Sequence, residues 1–441
     1  MKIIDKKLFF LLLMLFPLFF ASCEKDNENE SVIINSVWSN TNGVESTQIN
    51  SCFTTQWIRL EGSGFDGLKE IYCNNVKATF SPILNTSKYI TFQVPSGVPI
   101  EREITDEAIK NTIRIVTTHG EYTYRDFKFK DKNKMPGINS VSYTLPKPGE
   151  KIYLDGLYLD ATTEIYFPGP SGEVAATDYT IVNDKRIEVT VPAGVGSVSG
   201  AIRIVADGDI YYSPSYMFYT QGIFLKTFLE TDVMVPSSTG VYTYANAKVY
   251  SDPVQIAALT GLTNNPDNII AIPEVAKNIA TTTSTSISSN FFKFYAYKGI
   301  NKIIANSNGA ITTASKLENL AIQFDLYMKT PWNSGVIAFK MNKNNSGKNA
   351  QYIYNVAPWT TTTPYTFTNG WRTITIKFSD FPSLALGTLG SYITTTTTGN
   401  FEAMIAFANV DMNADGHTPQ ALTNFQMYVA NVRIVPTTTP N

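Results

Sequence analysis

The sequence IRLEGSGF at residues 58–65 decides the fold, because a similar segment, IYLDGLYL, occurs at residues 152–159. Three further pairs of matching segments stand in the same order around these two. They are INSV at 34–37 and 138–141, ITFQVPSGV at 90–98 with IEVTVPAGV at 187–195, and IRIV at 113–116 and 202–205. The segments alternate apolar and polar residues and end near Gly or Pro, which predicts half-buried antiparallel strands joined by turns. The conserved order predicts two copies of one small β domain.

The motifs around these strands narrow the type of domain. In the first copy a strand is followed by GSGF at 62–65, then by IYCNN at 71–75 and by a strand that ends in Val-Pro. This order resembles the IPT/TIG family of immunoglobulin-like domains, which implies a sandwich of two antiparallel sheets. We assign the first copy to residues 32–131 and the second to residues 135–220. The second copy has Tyr158 and Leu159 in place of Gly64 and Phe65, so its bend is expected to differ.

The third region, residues 222–441, lacks the repeat but is also rich in strand patterns. Alternation of apolar and polar residues is strong at 320–328, 336–341, 373–378 and 425–434. The best short helix candidates are 253–262 and 273–279. The fold class predicted for the whole chain is therefore all-β, with two immunoglobulin-like sandwiches followed by one larger C-terminal β-sandwich.

Composition excludes several classes of function. The 441 residues are 43% hydrophobic and 16% charged, with a net charge of −2. Such a chain is too apolar for intrinsic disorder and lacks the basic footprint of a nucleic-acid binder. Two His and three Cys leave little for zinc or cysteine–histidine chemistry. The sequence has neither a Gly-rich phosphate loop nor a Gly-x-Ser-x-Gly elbow, so we expect a protein that is not an enzyme and uses no cofactor.

The N-terminal segment is typical of a targeting signal. Residues 1–22 combine a basic start, a short apolar run and small residues before Cys23, as in a secretory signal. The end of this segment resembles a bacterial lipobox, which implies lipidation of Cys23. Residues 23–31 form an acidic tether, and such a stretch after the lipidated Cys resembles the surface-export signal of Bacteroidetes lipoproteins. A plain signal peptide with a chance Cys is the alternative.

Cys52 and Cys73 would lie in an oxidising compartment, where disulfides persist. They flank a predicted strand, so a disulfide between them and a pair of buried thiols both remain open.

A calcium ion has one weak candidate site. Asp411, Asn413 and Asp415 fit the first half of a calcium-binding loop, and Gly416 follows them. Leu422 stands where the chelating Glu is expected, so a turn without metal is the alternative.

Tryptophans are the most informative aromatic residues of the third region. Trp332 and Trp359 have Pro and Gly neighbours that place them on loops, where binding residues tend to lie. An exposed Trp could stack on the apolar face of a sugar ring while polar neighbours bind its hydroxyls. Packing is the alternative for both. Trp371 enters a predicted strand, so packing is favoured there.

The lipoprotein-like signal, the tandem IPT/TIG-like domains and the aromatic C-terminal region together resemble the surface glycan-binding proteins of Bacteroidetes polysaccharide-utilisation systems. The resemblance implies non-catalytic capture of a polysaccharide, expected to be neutral, with Trp332 and Trp359 as binding platforms and the immunoglobulin-like domains as a spacer. Tyr354, Tyr365 and Phe367 are the second choices. It also implies lipid anchoring on the outer surface of the outer membrane, beside a glycan transporter and its companion lipoprotein.

Two other classes of function remain open at this point. Immunoglobulin-like tandems also occur in adhesins that bind protein. A glycoside hydrolase needs only two carboxylates, for which Asp325 and Glu318 are the central candidates in the third region.

Overall fold

The computed structural model describes residues 31–40, 46–196, 198–218, 221–236, 242–282, 290–307, 309–341, 353–366, 370–381, 387–392, 402–410 and 416–437. The chain divides into two compact units, Met1–Met135 and Pro136–Asn441. The second unit contains both the second repeat copy and the C-terminal region. Cys23, Phe367 and the three calcium candidates Asp411, Asn413 and Asp415 lie outside the described residues.

The first unit is a β-sandwich. Its two main sheets have the strand orders β1-β3-β7-β6 and β5-β4-β8-β9, and a parallel pair, β2 and β10, lies beside them. The strands are β1 (Ile33–Ser39), β2 (Ser51–Phe53), β3 (Trp57–Ser63), β4 (Glu70–Cys73), β5 (Val76–Ala78), β6 (Phe80–Asn85), β7 (Tyr89–Gln93), β8 (Ile113–Thr117), β9 (Gly120–Tyr124) and β10 (Lys128–Lys130). Apolar residues that alternate along these strands fill the space between the sheets.

The second repeat copy has the same topology, as the repeat predicts. Its sheets have the orders β11-β12-β16-β15 and β14-β13-β17-β18. The strands are β11 (Gly137–Val141), β12 (Lys151–Leu157), β13 (Thr162–Gly169), β14 (Gly172–Ala175), β15 (Tyr179–Asn183), β16 (Arg186–Thr190), β17 (Arg203–Ala206) and β18 (Asp209–Tyr212). The different bend expected at Tyr158 is not seen in its backbone conformation, because Tyr158 is left-handed with φ of 53° and the matching Gly64 is left-handed with φ of 69°.

A β-bulge explains why one glycine is shared by the two copies. In the first copy the register between β1 and β3 shifts after Ile34. In the second copy the register between β11 and β12 shifts at the matching position, after Ile138. A Cβ atom on Gly62 or Gly156 would lie 1.9 Å from a backbone carbonyl oxygen of the neighbouring strand. Only glycine lets the two backbones approach so closely.

In its described residues, the C-terminal region has two further sheets, two helices longer than one turn, and a helical turn at residues 389–392. One sheet has the order β21-β22-β29-β24-β27, with β19 also paired to β29, and the other has the order β20-β23-β28-β25-β26. The elements are β19 (Ile223–Leu225), β20 (Tyr244–Ala245), β21 (Lys248–Tyr250), α1 (Pro253–Thr260), β22 (Ile269–Ile279), β23 (Phe291–Tyr295), α2 (Ala296–Asn306), β24 (Leu320–Met328), β25 (Val336–Lys340), β26 (Ile353–Val356), β27 (Arg372–Lys377), β28 (Glu402–Ala408) and β29 (Leu422–Pro436). The all-β class is confirmed.

The two helix predictions have different outcomes. The first candidate forms α1, where the Asp252 side chain accepts a hydrogen bond from the Val254 N–H and Gly261 ends the helix at φ of 75°. The second was wrong, because residues 273–279 continue strand β22 and pair with the long strand β29. Pairing with β29 outweighs a weak local helix preference. None of the helices in the described ranges is long and apolar enough to cross a membrane.

Strand β24 is buried on both faces, and this joins the two parts of the second unit. All nine of its residues are buried. Leu320, Ile322 and Phe324 face the core between the two C-terminal sheets. Ala321 and Tyr327 face a second core that is shared with the immunoglobulin-like copy. The predicted domains 135–220 and 222–441 therefore pack as one body.

A buried polar network lies in this shared layer. The side chains of Arg433 and Asp325 are fully buried, with Nη2 and Oδ1 2.9 Å apart. The same Nη2 donates to Thr144 Oγ1 of the immunoglobulin-like copy at 2.8 Å. Asn431 Nδ2 and the Thr373 hydroxyl donate to the Asp325 carboxylate, each at 2.9 Å. Each partner of the buried ion pair is thus hydrogen-bonded, as low-dielectric surroundings require.

Cys52 and Cys73 are free, buried thiols in the core of the first unit, so the disulfide alternative was wrong. Burial raises the pKa of Cys52 to about 12 and raises that of Cys73 as well. Both side chains behave as small apolar groups.

Candidate functional site

The loop at residues 357–366 carries two of the five predicted glycan-binding residues of the C-terminal region, Trp359 and Tyr365. It is fastened to the segment before β25 by a two-way backbone bridge, in which Trp332 and Tyr365 each donate an N–H to the other's carbonyl oxygen at 2.8 Å. The Trp332 and Tyr365 rings meet edge to face, with centroids 6.4 Å apart. The loop is therefore held in one position against the sheet.

Trp332 and Trp359 do not present their rings to a ligand, so their prediction as exposed platforms was wrong. Each is only 1% exposed and belongs to the C-terminal core. Trp332 Nε1 donates to the carbonyl oxygens of Ser334 and Gly335, and Trp359 Nε1 donates to the Gly335 carbonyl at 2.7 Å. The Trp359 ring also packs against His417 at 4.9 Å between centroids. The two buried indoles therefore anchor the loop to the C-terminal core.

Gly335 makes this arrangement possible. Its φ of 75° lies in the left-handed region, and a Cβ atom there would lie 2.4 Å from Cζ of Phe407. The tight turn lets the Gly335 carbonyl reach both indole N–H groups. A loop position with Pro and Gly neighbours is thus compatible with complete burial of the tryptophan beside it.

Of the two second-choice residues that the structure describes, Tyr365 lines an open groove and Tyr354 does not. Tyr354 packs against the core, with its ring 5.9 Å from that of Phe381. Tyr365 is half-buried, and burial raises the pKa of its hydroxyl. Trp371 is buried in the shared core, as its strand position indicated.

The groove beside Tyr365 has a volume of about 290 Å³ and is formed by both parts of the second unit. The loop and β27 form one wall, and β11, β12 and β16 of the immunoglobulin-like copy form the other. Its lining includes rings, hydroxyl groups and charged side chains: Ser140, Ser142, Tyr153, Asp155, Arg186, Thr363, Tyr365, Thr366, Arg372 and Thr373.

The charged groups of the groove surround Tyr153. Arg186 forms an ion pair with Asp155, which raises the pKa of the guanidinium. The Cζ atoms of Arg186 and Arg372 lie 4.9 Å and 5.6 Å from the Tyr153 ring centroid. Arg372 is buried, and this burial lowers its pKa. The groove thus places guanidinium donors, a carboxylate acceptor and tyrosine rings side by side.

These groups match the chemistry of a polyhydroxylated ligand. Guanidinium and carboxylate groups bind hydroxyls through charge-assisted hydrogen bonds, and a tyrosine ring packs against apolar C–H faces. In the described ranges, no three His, Cys, Asp or Glu side chains come together as a metal ion would require.

The sequence reasoning missed Tyr153, Asp155 and Arg186, because it treated the second immunoglobulin-like copy as a spacer. A signal for them was present. Tyr153 and Asp155 alternate with the buried Ile152 and Leu154 on β12, so they had to lie on the outer face of their sheet.

Comparisons with known proteins agree with the resemblance seen in the sequence. Residues 272–436 match the family model described as surface glycan-binding protein B xyloglucan binding domain. The crystal structure of surface glycan-binding protein PbSGBP-B from Prevotella bryantii has a TM-score of 0.57 at 14% identity, and the match covers 93% of this chain and 100% of that one. SGBP-B from a complex xyloglucan utilization locus in Bacteroides uniformis has a TM-score of 0.45 at 15% identity, covering 91% and 99%. No curated protein sequence matches the chain.

The matched segment contains Tyr365, Arg372 and the loop that forms one wall of the groove. The expected resemblance is confirmed: in its C-terminal sequence and in its fold, this chain is similar to the surface glycan-binding proteins B of the Bacteroidetes.

Proposed function

We propose that this protein captures a polysaccharide at the cell surface without cleaving it. The observation that carries the proposal is the groove at Tyr365, where rings, hydroxyls and paired charges converge, and one of its two walls belongs to the segment that matches a glycan-binding family model. The proposed ligand is a neutral glycan, and xyloglucan is the first candidate because the family model is named for it.

The carboxylates support binding and not hydrolysis. Among the described residues that line the groove, Asp155 is the single carboxylate, and Arg186 holds it in an ion pair. A glycoside hydrolase needs two carboxylates on either side of the scissile bond. Asp325, a candidate from the sequence, is fully buried against Arg433, and Glu318 forms an ion pair with Lys316.

The site spans two parts of the chain, so we propose that the second immunoglobulin-like copy takes part in binding. It supplies Tyr153, Asp155 and Arg186, and the Arg433 network holds it against the C-terminal sheets. In this proposal residues 136–441 form the groove that binds the glycan, and the second immunoglobulin-like copy is part of the binding site and not a spacer.

For the location we propose a lipid anchor on Cys23 that holds the protein on the outer surface of the outer membrane. Captured glycan would pass to an outer-membrane transporter and its companion lipoprotein. The signal at residues 1–22 and the acidic tether support this proposal. Replacement of Cys23 by Ala should release the protein from the membrane fraction, whereas unchanged membrane association would contradict lipid anchoring.

The binding site is tested by affinity electrophoresis of the chain from residue 24 onward in gels that contain xyloglucan. Loss of the ring in Tyr365→Ala should weaken binding about tenfold, which corresponds to about 1.4 kcal/mol. Tyr365→Phe should keep most of the retention because the ring remains. Tyr212→Ala is the matched control, since Tyr212 is an exposed tyrosine of the same unit that lies outside the groove.

Three outcomes would contradict the proposal. Equal retention of Tyr365→Ala and the wild type would remove the groove from the binding site. Preferential binding of an acidic polysaccharide, such as polygalacturonate, would overturn the neutral ligand. Release of reducing sugar from the bound glycan would overturn the non-catalytic function.

A further inference from the structure

The first unit has an exposed aromatic face that the groove does not use. It lies on the outer side of the sheet that contains β1, β3 and β7. Trp57 is 42% exposed, Tyr89 is 39% exposed, and Trp38 is half-buried. We call this surface the aromatic face and define it by Trp38, Trp57, Arg59, Glu61, Tyr89, Thr91 and Gln93.

The strand register places these side chains on one surface. Arg59 on β3 lies between Trp38 on β1 and Thr91 on β7, and Glu61 lies opposite Tyr89. Trp57 stands two residues before Arg59, so its ring points to the same side. With standard strand dimensions, the Cα atoms of Trp57 and Tyr89 are about 14 Å apart. The aromatic face is therefore long enough for several sugar rings in a row.

Arg59 occupies the centre of the aromatic face. Its Cζ lies 5.8 Å from the Trp38 ring centroid and 5.4 Å from the Tyr89 ring centroid. Cation–π contacts with both rings hold the guanidinium in place. Nε of Arg59 is buried and has no hydrogen-bond partner among the described residues. The half-buried guanidinium therefore acts as a fixed support between the Trp38 and Tyr89 rings of the aromatic face.

The charge of the aromatic face points to an uncharged ligand. Arg59 and Glu61 carry opposite charges on the same side of β3, and the other five residues that define the face are neutral. Their charges balance, so neither a polyanion nor a polycation has a complementary partner here. Rings next to amide and hydroxyl side chains instead suit a ligand with apolar faces and a rim of hydroxyls.

We propose that the aromatic face is a second carbohydrate-binding site, which takes a neutral polysaccharide chain. The proposal rests on the proposed function only for the choice of ligand, because the aromatic face and the groove share no residue. Two sites on one chain would let a long glycan bind both, and such linked binding raises the affinity for a polymer above that for a short oligosaccharide.

The test uses the chain from residue 24 onward and isothermal titration with xyloglucan oligosaccharides. The wild type should bind two oligosaccharides per chain. Trp57→Ala should bind one, and its affinity for polymeric xyloglucan should fall at least tenfold. Tyr365→Ala should weaken the other site about tenfold, and the double variant should bind both the oligosaccharide and the polymer more weakly than either single variant. Trp57→Phe should restore part of the lost binding because it keeps a ring.

Ile83→Ser is the matched control. Ile83 is 92% exposed on β6 of the same sheet but is not part of the aromatic face. The Ile83→Ser variant should bind xyloglucan and its oligosaccharides like the wild type. Sedimentation that shows a dimer sensitive to Trp57→Ala would assign the aromatic face to a second copy of the chain and overturn the proposal.

The results separate the two proposals. Suppose that the wild type binds one oligosaccharide per chain, and that Tyr365→Ala weakens this binding while Trp57→Ala leaves it unchanged. This result would refute the second site and support the groove. If the wild type binds one oligosaccharide per chain and only Trp57→Ala loses this binding, the groove is refuted as a binding site. If the wild type binds none of xyloglucan, mixed-linkage β-glucan and galactomannan, both proposals are wrong.

Discussion

Replacing Arg433 by Met tests whether the buried network joins the immunoglobulin-like copy to the C-terminal sheets. Arg433 is fully buried, and its guanidinium binds Asp325, Thr144, Gln323 and the Asn431 carbonyl. The substitution leaves the Asp325 carboxylate buried without its counter-charge. Loss of one partner of a buried ion pair costs about 3–5 kcal/mol. We therefore expect the free energy of unfolding of the second unit to fall by about that amount.

Urea unfolding of the chain from residue 24, followed by tryptophan fluorescence, measures this loss. Trp332, Trp359 and Trp371 are buried in the second unit and will report its transition. With a slope of about 3 kcal/mol per molar urea, the midpoint should move by at least about 1 M. Glycan retention should weaken as well, because the groove needs both of its walls.

Two further variants serve as a rescue and a control for Arg433→Met. In Arg433→Met with Asp325→Leu the buried charge is gone, so much of the lost stability should return. Lys248→Met removes an exposed ion pair with Glu274 and should cost no more than about 1 kcal/mol. The explanation fails if Arg433→Met loses less than 1 kcal/mol, or if the double variant is as unstable as the single one.

Two predictions concern other parts of the molecule. Gly335→Ala should lower stability by about 3 kcal/mol, seen as a lower Tm, because its Cβ would collide with Phe407 at a positive φ. Gly309→Ala, with φ of 85° and open space around it, should lose only about 1 kcal/mol, and equal losses would show that the collision is irrelevant. Because burial raises the pKa of Cys52 to about 12, only about one thiol in ten thousand is ionised at pH 8, so iodoacetamide should label Cys52 only after denaturation. Rapid labelling of the native protein would contradict that burial, and no labelling of the denatured, unreduced protein would indicate a disulfide.

Most of the fold could be predicted from the sequence, because its signals are local. Alternation along single strands, repeated in the same order, identified the two immunoglobulin-like copies, whereas the bulge that Gly62 and Gly156 share became visible only in the strand register. The helix at Pro253 was predictable from Pro at its start and Gly261 after its end. Residues 273–279 were not, since their strand exists only through pairing with β29.

The site was predicted less well than the fold. Pro and Gly neighbours correctly placed Trp332 and Trp359 outside regular strands, yet they say nothing about what covers a loop. His417 packs on the Trp359 ring from 58 positions away along the chain, and the Gly335 carbonyl binds both indoles. The exposure of Trp57, in contrast, could be predicted from the sequence, because Trp57 alternates with the buried Ile58 and Leu60 on β3.

By itself, the sequence determined the all-β class, the tandem copies, the N-terminal address expected for a lipoprotein and the resemblance to surface glycan-binding proteins. The tertiary structure alone decided which aromatic rings are open to a ligand. It also decided that a groove forms where residues 140–186 meet residues 358–373. The physical reason is that alternation and turns follow from neighbours in the chain, whereas burial depends on segments that folding brings together from afar.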